Sequence, residues 1–158
     1  MRKYLFWIWI VATLTMGVSS CSDDNDIFNV DVEQTSFNTK LLPGYWVCID
    51  EDGKEQNWGW WISNEPSTMS GSAKVAKMWQ RQSPKEKGVW SEETFWWTDQ
   101  DGYIHIWMWE GDRVITHLTK KRMRIMSWWL QSEAAYAIYK RMDSAPNIDE
   151  DIDCQKMI

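Results

Sequence analysis

The sequence predicts an all-β protein, an eight-stranded antiparallel up-and-down barrel. Over most of the chain, apolar and polar residues alternate with the period of a β-strand and not with that of a helix. Turn signals recur about every 8 to 15 residues, as they do in sandwiches and barrels. Eight is also the smallest number of strands whose closed barrel holds side chains or one small ligand, and closure removes exposed sheet edges.

The turn residues divide the central part of the chain into eight segments with a strand pattern. We expect strands at about residues 45–50, 56–63, 74–82, 89–98, 103–109, 113–118, 122–129 and 135–142. Residues 64–73 are rich in Ser, Gly and Pro and are expected to form the loop between the second and third strands. Each strand is then joined to the next by a hairpin connection, as an up-and-down order requires.

The first hairpin is expected at Asp52-Gly53, which fits a two-residue type I′ turn because glycine readily adopts positive φ. This register places Trp46 opposite Gly59, where the missing side chain leaves room for the indole. Asp101-Gly102 fits the same turn type in a later hairpin.

The later hairpin determines which aromatic residues share a face. The turn would pair Trp96 with Trp107. Alternation then places His105, Trp107 and Trp109 on the face of Trp96, and it places on the opposite face Phe95, Trp97, Ile106 and Met108. Both faces are apolar, so one is core and the other must be covered by a loop, a partner or a ligand.

Tryptophan is unusually abundant, with 14 residues in the chain, so some indoles are expected on the surface or around a cavity. If one aromatic face lines the lumen, a small apolar or sugar-like ligand would contact Trp58, Trp60, Trp96, Trp107 and Trp109. Two alternatives stay open. A loop covers an oversized core, or an exposed Trp patch docks on a partner protein or glycan.

The first twenty residues are expected to be a signal peptide. Arg2 and Lys3 are the only charges before residue 21, and the mostly apolar run of residues 4–16 follows. This run is shorter than the roughly 20 residues that a membrane-spanning helix needs. Val18-Ser19-Ser20-Cys21 resembles the lipobox of bacterial lipoproteins. The resemblance implies cleavage before Cys21 and diacylglycerol on its thiol.

The acidic residues after Cys21, in the stretch SDDND, are similar to the surface-export signals of Bacteroidota-type lipoproteins. This similarity implies a lipid-anchored protein of the outer membrane, displayed at the cell surface. Two or more acyl chains would hold it stably in the membrane. We divide the chain into a signal peptide (1–20), a lipidated acidic tether (21–36), a barrel (37–143) and an acidic tail (144–158).

The charge of the chain argues against nucleic acid as a partner. Removal of residues 1–20 leaves 15 basic and 23 acidic side chains, a net charge of −8, and no basic stripe is present. An acidic protein is not attracted to anionic lipid, so the membrane contact is expected to depend on the N-terminal lipid.

Three motifs resemble the lipocalin-like family. Leu41-Leu42-Pro43-Gly44-Tyr45-Trp46-Val47 is similar to the opening strand of that family, with its Gly-x-Trp sequence. Residues 114–119 and 123–126 resemble its late strands, and residues 136–141 resemble its closing strand. The resemblance is closest to lipocalin-like lipoproteins of Bacteroidota. It implies a structural pair at the barrel floor, in which Arg141 covers the indole of Trp46.

No catalytic or metal site is expected. His105 and His117 face opposite sides if Gly111-Asp112 forms a two-residue turn, or lie opposite each other across a three-residue loop, but no third ligand is evident. Nucleophile motifs are absent from the sequence. Cys48 and Cys154 either form a disulfide in an oxidising compartment or remain free thiols.

We therefore expect a binding or accessory lipoprotein without a cofactor, and not an enzyme. Its ligand would be a small apolar or sugar-like molecule, with an envelope protein as a further possible partner. The alternative is a structural or protein-interaction lipoprotein with a filled core and an exposed Trp patch, and a hydrolase is a distant third.

Overall fold

The computed structural model describes residues 26–109, 111–127 and 135–149. The predicted signal peptide, Cys21 and Cys154 lie outside these residues. The described residues form a closed, eight-stranded antiparallel up-and-down barrel, which confirms the predicted fold class. Its strands are β1 (Gly44–Ile49), β2 (Glu55–Pro66), β3 (Lys74–Gln80), β4 (Gly88–Thr98), β5 (Ile104–Ile106), β6 (Arg113–Leu118), β7 (Arg122–Ser127) and β8 (Ala135–Arg141). Every strand pairs with the next, and β8 pairs with β1.

Three short elements lie outside this ring of strands. Single turns of 3-10 helix occupy Asp26–Phe28 and Thr39–Leu41. A ninth strand, β9 (Ile148–Asp149), pairs in parallel with the start of β4, so the first part of the expected acidic tail adds a short strand to the sheet beside β4.

Large apolar side chains from the inward positions of the strands meet in one core. Its members include the following residues: Trp46, Trp60, Ile62, Trp96, Ile104, Ile106, Ile115, Met123, Ile125 and Tyr139. They recur at every second position along their strands, as the pleat of a β-strand requires.

Trp46 and Arg141, the pair expected at the barrel floor, lie directly opposite each other on β1 and β8. The guanidinium of Arg141 lies 4.3 Å from the ring centroid of Trp46, a cation–π contact between the two residues that the family resemblance brings together. Arg141 also donates hydrogen bonds to the backbone carbonyls of Leu41, Pro43 and Lys120. The indole N–H of Trp46 donates to the carbonyl of Leu42 at 2.8 Å, so the buried indole is satisfied.

Part of the stretch predicted as a tether lies against the barrel. We call residues 27–34 the strap. Arg124, which is fully buried on the outward side of β7, donates hydrogen bonds to three strap carbonyls, those of Ile27, Asn29 and Val32. Its Nε also donates to Thr116 Oγ1 at 2.8 Å. The polar composition of this segment conceals the contact, because the bonds use strap backbone groups and not its side chains.

Two hairpin loops share the sequence Asp-x-Asp-Gly-x and the same hydrogen bonds. The N–H of the first residue donates to the carbonyl of the last at 3.0 Å, from Asp50 to Lys54 and from Asp99 to Tyr103. The carboxylate of the first residue accepts the N–H of the last, at 2.8 Å and 2.9 Å respectively. Three residues lie inside each loop, and its glycine has positive φ, 78° and 88°.

The three-residue loop between Asp99 and Tyr103 makes the predicted register of β4 and β5 wrong by one residue. Two-residue turns would pair Trp96 with Trp107, whereas the structure pairs Trp96 with Ile106 and Trp97 with His105. A shift of one residue moves every following side chain to the other face of the sheet.

The first hairpin also differs from prediction by one residue, but here the loop length alone does not explain the difference. Trp46 pairs with Trp60, and Gly59 lies opposite Val47 instead of Trp46. The three-residue loop pairs Ile49 with Glu55, and an irregularity between Val47 and Ile49 then moves the pairing by two residues in the opposite direction.

Gly59 is the position where any side chain would be most costly. A Cβ atom there would lie 1.9 Å from the carbonyl oxygen of Trp46 and 2.7 Å from Cζ2 of Trp79. We expect Gly59→Ala to lower the free energy of unfolding by about 3 kcal/mol or more, because backbone must move to admit the methyl group. Urea unfolding monitored by far-UV circular dichroism measures this loss.

Gly71→Ala is the matched control. A Cβ at Gly71 meets nothing within 4 Å, and its φ is not positive. The control should stay within about 0.5 kcal/mol of the parent protein. Equal stability of the two alanine variants would contradict the close approach at Gly59.

Candidate functional site: an aromatic stripe on the outer wall

The five tryptophans proposed for the lumen lie on two different faces of the sheet. Trp60 and Trp96 belong to the buried core, and the indole N–H of Trp96 donates to the carbonyl of Ser63 at 2.8 Å. Trp58 packs against the same core and is only half-buried, with its ring edge-on to that of Tyr139 at 5.4 Å.

Trp107 and Trp109 lie outside the barrel, which corrects their predicted place in the lumen. The N–H of Trp107 donates to the carbonyl of Phe95 at 2.9 Å and continues the β4–β5 register one step past Ile106. Because Trp96 and Ile106 are core residues, Phe95 and Trp107 face outwards. Trp109 follows on the connection to β6 and is 83% exposed.

The outward rings form a continuous surface that we call the aromatic stripe, comprising Phe95, Trp97, His105, Trp107 and Trp109. Two of its contacts join residues directly opposite each other on neighbouring strands. Phe95 stacks on Trp107 at 5.5 Å with 9° between planes, and Trp97 stacks on His105 at 5.1 Å with 13°. Phe95 also contacts Trp97 at 5.7 Å, which joins the two pairs. Cross-strand aromatic pairs of this kind stabilise a sheet by roughly 0.2–1 kcal/mol each.

Trp109 is the exposed end of the stripe. Its ring meets that of Trp107 at 5.3 Å with 62° between planes. The other rings cover one another with their stacked faces, whereas Trp109 contacts the stripe through the ring of Trp107 and leaves most of its surface to solvent. A large, amphipathic indole in this position offers a contact surface for another molecule.

A hydrogen-bonded aspartate holds His105 in the stripe. Nε2 of His105 lies 2.7 Å from Oδ2 of Asp99, while Oδ1 of Asp99 accepts the N–H groups of Asp101 and Tyr103. The bond to His105 is the largest cause that lowers the pKa of Asp99, and the backbone N–H groups act in the same direction. The same carboxylate therefore fixes the loop and one ring of the stripe.

A second aromatic group lies on the outer face of the neighbouring strands. The ring of Trp61 contacts Tyr45 at 6.4 Å and Trp90 at 6.0 Å. Nζ of Lys77 lies 5.8 Å from the rings of both Trp61 and Trp90, and it forms an ion pair with Glu93 at 2.8 Å. The charged pair makes this group more polar than the stripe.

The end of the barrel away from the floor carries polar side chains at inward positions. Nε of Arg113 donates to Sδ of Met108 at 2.6 Å, and another of its N–H groups donates to Oγ of Ser127. Glu92 lies opposite Met78, whose side chain packs against the core. We call this end the mouth.

Two ionisable groups inside the barrel are held neutral. Burial raises the pKa of the Tyr139 hydroxyl and outweighs the opposing effects of the Trp60 indole and Arg113. Burial also raises the pKa of the Cys48 thiol to about 11, with a smaller contribution from Asp50. A thiol with so high a pKa is a poor nucleophile near neutral pH.

Neither predicted arrangement of the two histidines is present. His105 pairs with Val114 across β5 and β6, because β5 ends at Ile106 and a longer connection than predicted leads to β6. His117 pairs with Arg124 on the other side of β6. Within the described residues, no three or more His, Cys, Asp or Glu side chains are grouped so that they could hold a metal ion. Cys48 is a buried free thiol.

No protein-family model matches the chain, and no curated protein matches it. In the part of the chain that the structure describes, no helix has the length and apolar character needed to cross a membrane. The aromatic stripe is therefore assigned from its geometry.

Sequence reasoning placed Phe95 and Trp97 opposite Trp96, as the structure does, but it grouped them with Ile106 and Met108 instead of His105 and Trp107, and so missed them as site residues. The signal that identifies them is the aspartate two positions before Asp-Gly. Its carboxylate accepts the N–H at the far end of the loop, which favours a three-residue loop over a two-residue turn.

The lowered pKa of Asp99 predicts an acid-dependent loss of stability. Because the folded state lowers this pKa below the ordinary value of 3.8, the ionised carboxylate stabilises the fold above that value. The contribution disappears as the pH falls through the lower pKa of the folded state. We expect Asp99→Asn to be less stable than the parent at about pH 7, and the difference to shrink towards about pH 2.

Urea unfolding at a series of pH values measures this difference. Asp101→Asn, in the same exposed loop, is the matched control and should follow the parent protein at every pH. A constant difference between Asp99→Asn and the parent across the acid range would show that the carboxylate charge does not matter.

Proposed function

We propose that the protein is a lipid-anchored protein of the outer membrane, displayed at the cell surface, that binds an envelope protein partner through the aromatic stripe. Anchoring rests on the sequence Val18-Ser19-Ser20-Cys21 and the acidic residues after it. Partner binding rests on one observation, the exposure of Trp109 at the end of the stripe.

The shape of the stripe favours a protein over a small molecule. Small ligands are bound in concave sites that bury most of their surface, and the outer wall of a closed barrel is convex. The ring faces of Phe95 and Trp107 are already stacked on each other, so they offer no open platform for a sugar. Protein interfaces are enriched in Trp, and a few such residues carry most of the binding energy.

A second candidate is a small apolar or sugar-like ligand at the mouth. Trp58 favours it, because it is the one half-buried residue among the three inward tryptophans of the predicted site. Arg113 and Glu92 would supply polar contacts there. Trp60 and Trp96 would stay structural, since both pack in the core.

The proposal includes no catalytic step, cofactor or nucleic-acid partner. Tyr139 and Cys48 are neutral in the barrel, and the chain carries a net charge of −6. An acidic protein repels nucleic acid phosphates.

Acylation of Cys21 is the first test. The membrane-extracted wild-type protein should show the intact mass of a chain that begins at Cys21 and carries acyl groups, and it should incorporate labelled palmitate. Cys21→Ser removes the acceptor sulfur and should abolish incorporation, whereas Cys48→Ser should not. Labelling of Cys21→Ser at the wild-type level would disprove the lipid anchor.

Partner binding through Trp109 is tested by cross-linking in intact cells. A photo-reactive residue at position 109 should give a discrete protein adduct, and the same residue at exposed Met69 should not. With the partner so identified, Trp109→Ala should weaken its binding by about 2 kcal/mol or more, roughly 30-fold. Met69→Ala is the matched control and should leave affinity unchanged.

Other outcomes of this experiment are also decisive. An adduct with a glycan would replace the protein partner by a carbohydrate. Unchanged partner affinity in a folded Trp109→Ala protein would refute the role of the stripe and leave the mouth as the remaining candidate.

A further inference from the structure

The strap carries most of the exposed large apolar side chains of the described residues. Five such side chains are exposed, namely Phe28, Val30, Val32, Met69 and Trp109. Three of the five, Phe28, Val30 and Val32, belong to the strap and lie in a stretch of five residues. Their exposed fractions are 42%, 44% and 41% in chain order. A cluster of this kind on so short a segment marks a contact surface.

The strap is fixed to the barrel, so these side chains have a defined direction. Ile27 is fully buried, and Arg124 donates to backbone carbonyls on both sides of Phe28 and Val30. At the other end of the strap, the N–H of Gln34 donates to the carbonyl of Thr116 at 3.0 Å.

Gln34 also satisfies backbone groups at an irregular point of the sheet. The pairing of β6 with β7 shifts between Ile115 and His117. The N–H of Leu118 donates to Oε1 of Gln34 at 2.9 Å. The strap is thus held through backbone and Gln34 contacts, while Phe28, Val30 and Val32 keep their exposed surface.

The position of the strap in the chain indicates which surface its exposed side chains contact. Ile27 follows Cys21 by six residues, and a chain of that length spans at most about 20 Å when fully extended. If Cys21 carries lipid, the strap lies within that reach of the membrane surface. An amphipathic segment near a bilayer binds by burying its apolar side chains at the headgroup boundary.

We propose that Phe28, Val30 and Val32 insert into the lipid surface beside the acylated Cys21, so that the barrel rests on the membrane through its strap. This proposal depends on the lipid anchor of the proposed function. Asp31 and Glu33 alternate with the apolar residues and are exposed. They repel anionic headgroups, so the contact is hydrophobic and favours neutral, zwitterionic lipid.

The test uses the acylated full-length product, reconstituted into vesicles of neutral phospholipid. Single cysteines replace Phe28, Val30 or Val32 in turn, in a Cys154→Ser background where Cys48 is buried and Cys21 is acylated. Each new thiol carries an environment-sensitive fluorophore. A label at Met69, an exposed apolar residue outside the strap, is the matched control.

We expect labels on the strap to shift to shorter emission wavelengths on reconstitution. Lipids brominated along their acyl chains should quench them severalfold more than the label at Met69. High salt should leave the quenching unchanged, and anionic lipid should reduce it. Three label positions keep the result independent of any single substitution that disturbs the strap.

The outcomes separate this proposal from the anchor itself. An intact mass without acyl groups would refute the anchor before any vesicle measurement. A correctly acylated protein whose strap labels stay as exposed to water as the label at Met69 would refute the strap contact alone. Quenching that disappears in high salt would also refute the strap contact. The same holds if the strap labels are protected by self-association of the protein in the absence of lipid.

Discussion

The carboxylate of Asp99 determines which side chains of β5 face solvent. It accepts hydrogen bonds from two backbone N–H groups in its own loop, and its other oxygen is hydrogen-bonded to Nε2 of His105. The loop therefore has three residues, and the register of β5 against β4 follows from its length. Because strand side chains alternate, this one loop places Trp96 and Ile106 in the core and Phe95 and Trp107 outside. The aromatic stripe is a consequence of that choice.

The positions of the strands could be predicted from the sequence, whereas the faces of several side chains could not. Strand positions depend on local alternation and on turn residues, which are visible in any short window. The face of Trp107 depends on whether the loop before it has two or three residues. Asp101-Gly102 is compatible with both, and only the bond from Asp99 to the far end of the loop decides. A local ambiguity of one residue thus placed Trp107 and Trp109 on the wrong face in the predicted site.

The floor of the barrel was more predictable than the strap. The Trp46–Arg141 contact joins two recognisable sequence motifs, and direct pairing of these residues in β1 and β8 brings the side chains together. No sequence motif indicates that Arg124 is buried. Its partners are strap carbonyls 92 to 97 positions away in the chain, and any sequence can present a carbonyl. A polar, acidic segment was for this reason expected to be a tether.

Arg124 explains how a short polar segment becomes a fixed part of the surface. Burial lowers the pKa of its guanidinium, and nearby Tyr136 and Glu33 oppose this effect. A buried cation is stable only when its donors are satisfied, and the strap carbonyls supply the hydrogen bonds that replace water around the guanidinium. The hydrogen bonds are directional, and they select one path for the strap across the barrel. A lipid on Cys21 would then hold the barrel close to the membrane, because Ile27, the first buried residue, follows Cys21 by only six positions. The side chains that Arg124 leaves exposed, Phe28 among them, are those a nearby bilayer would cover.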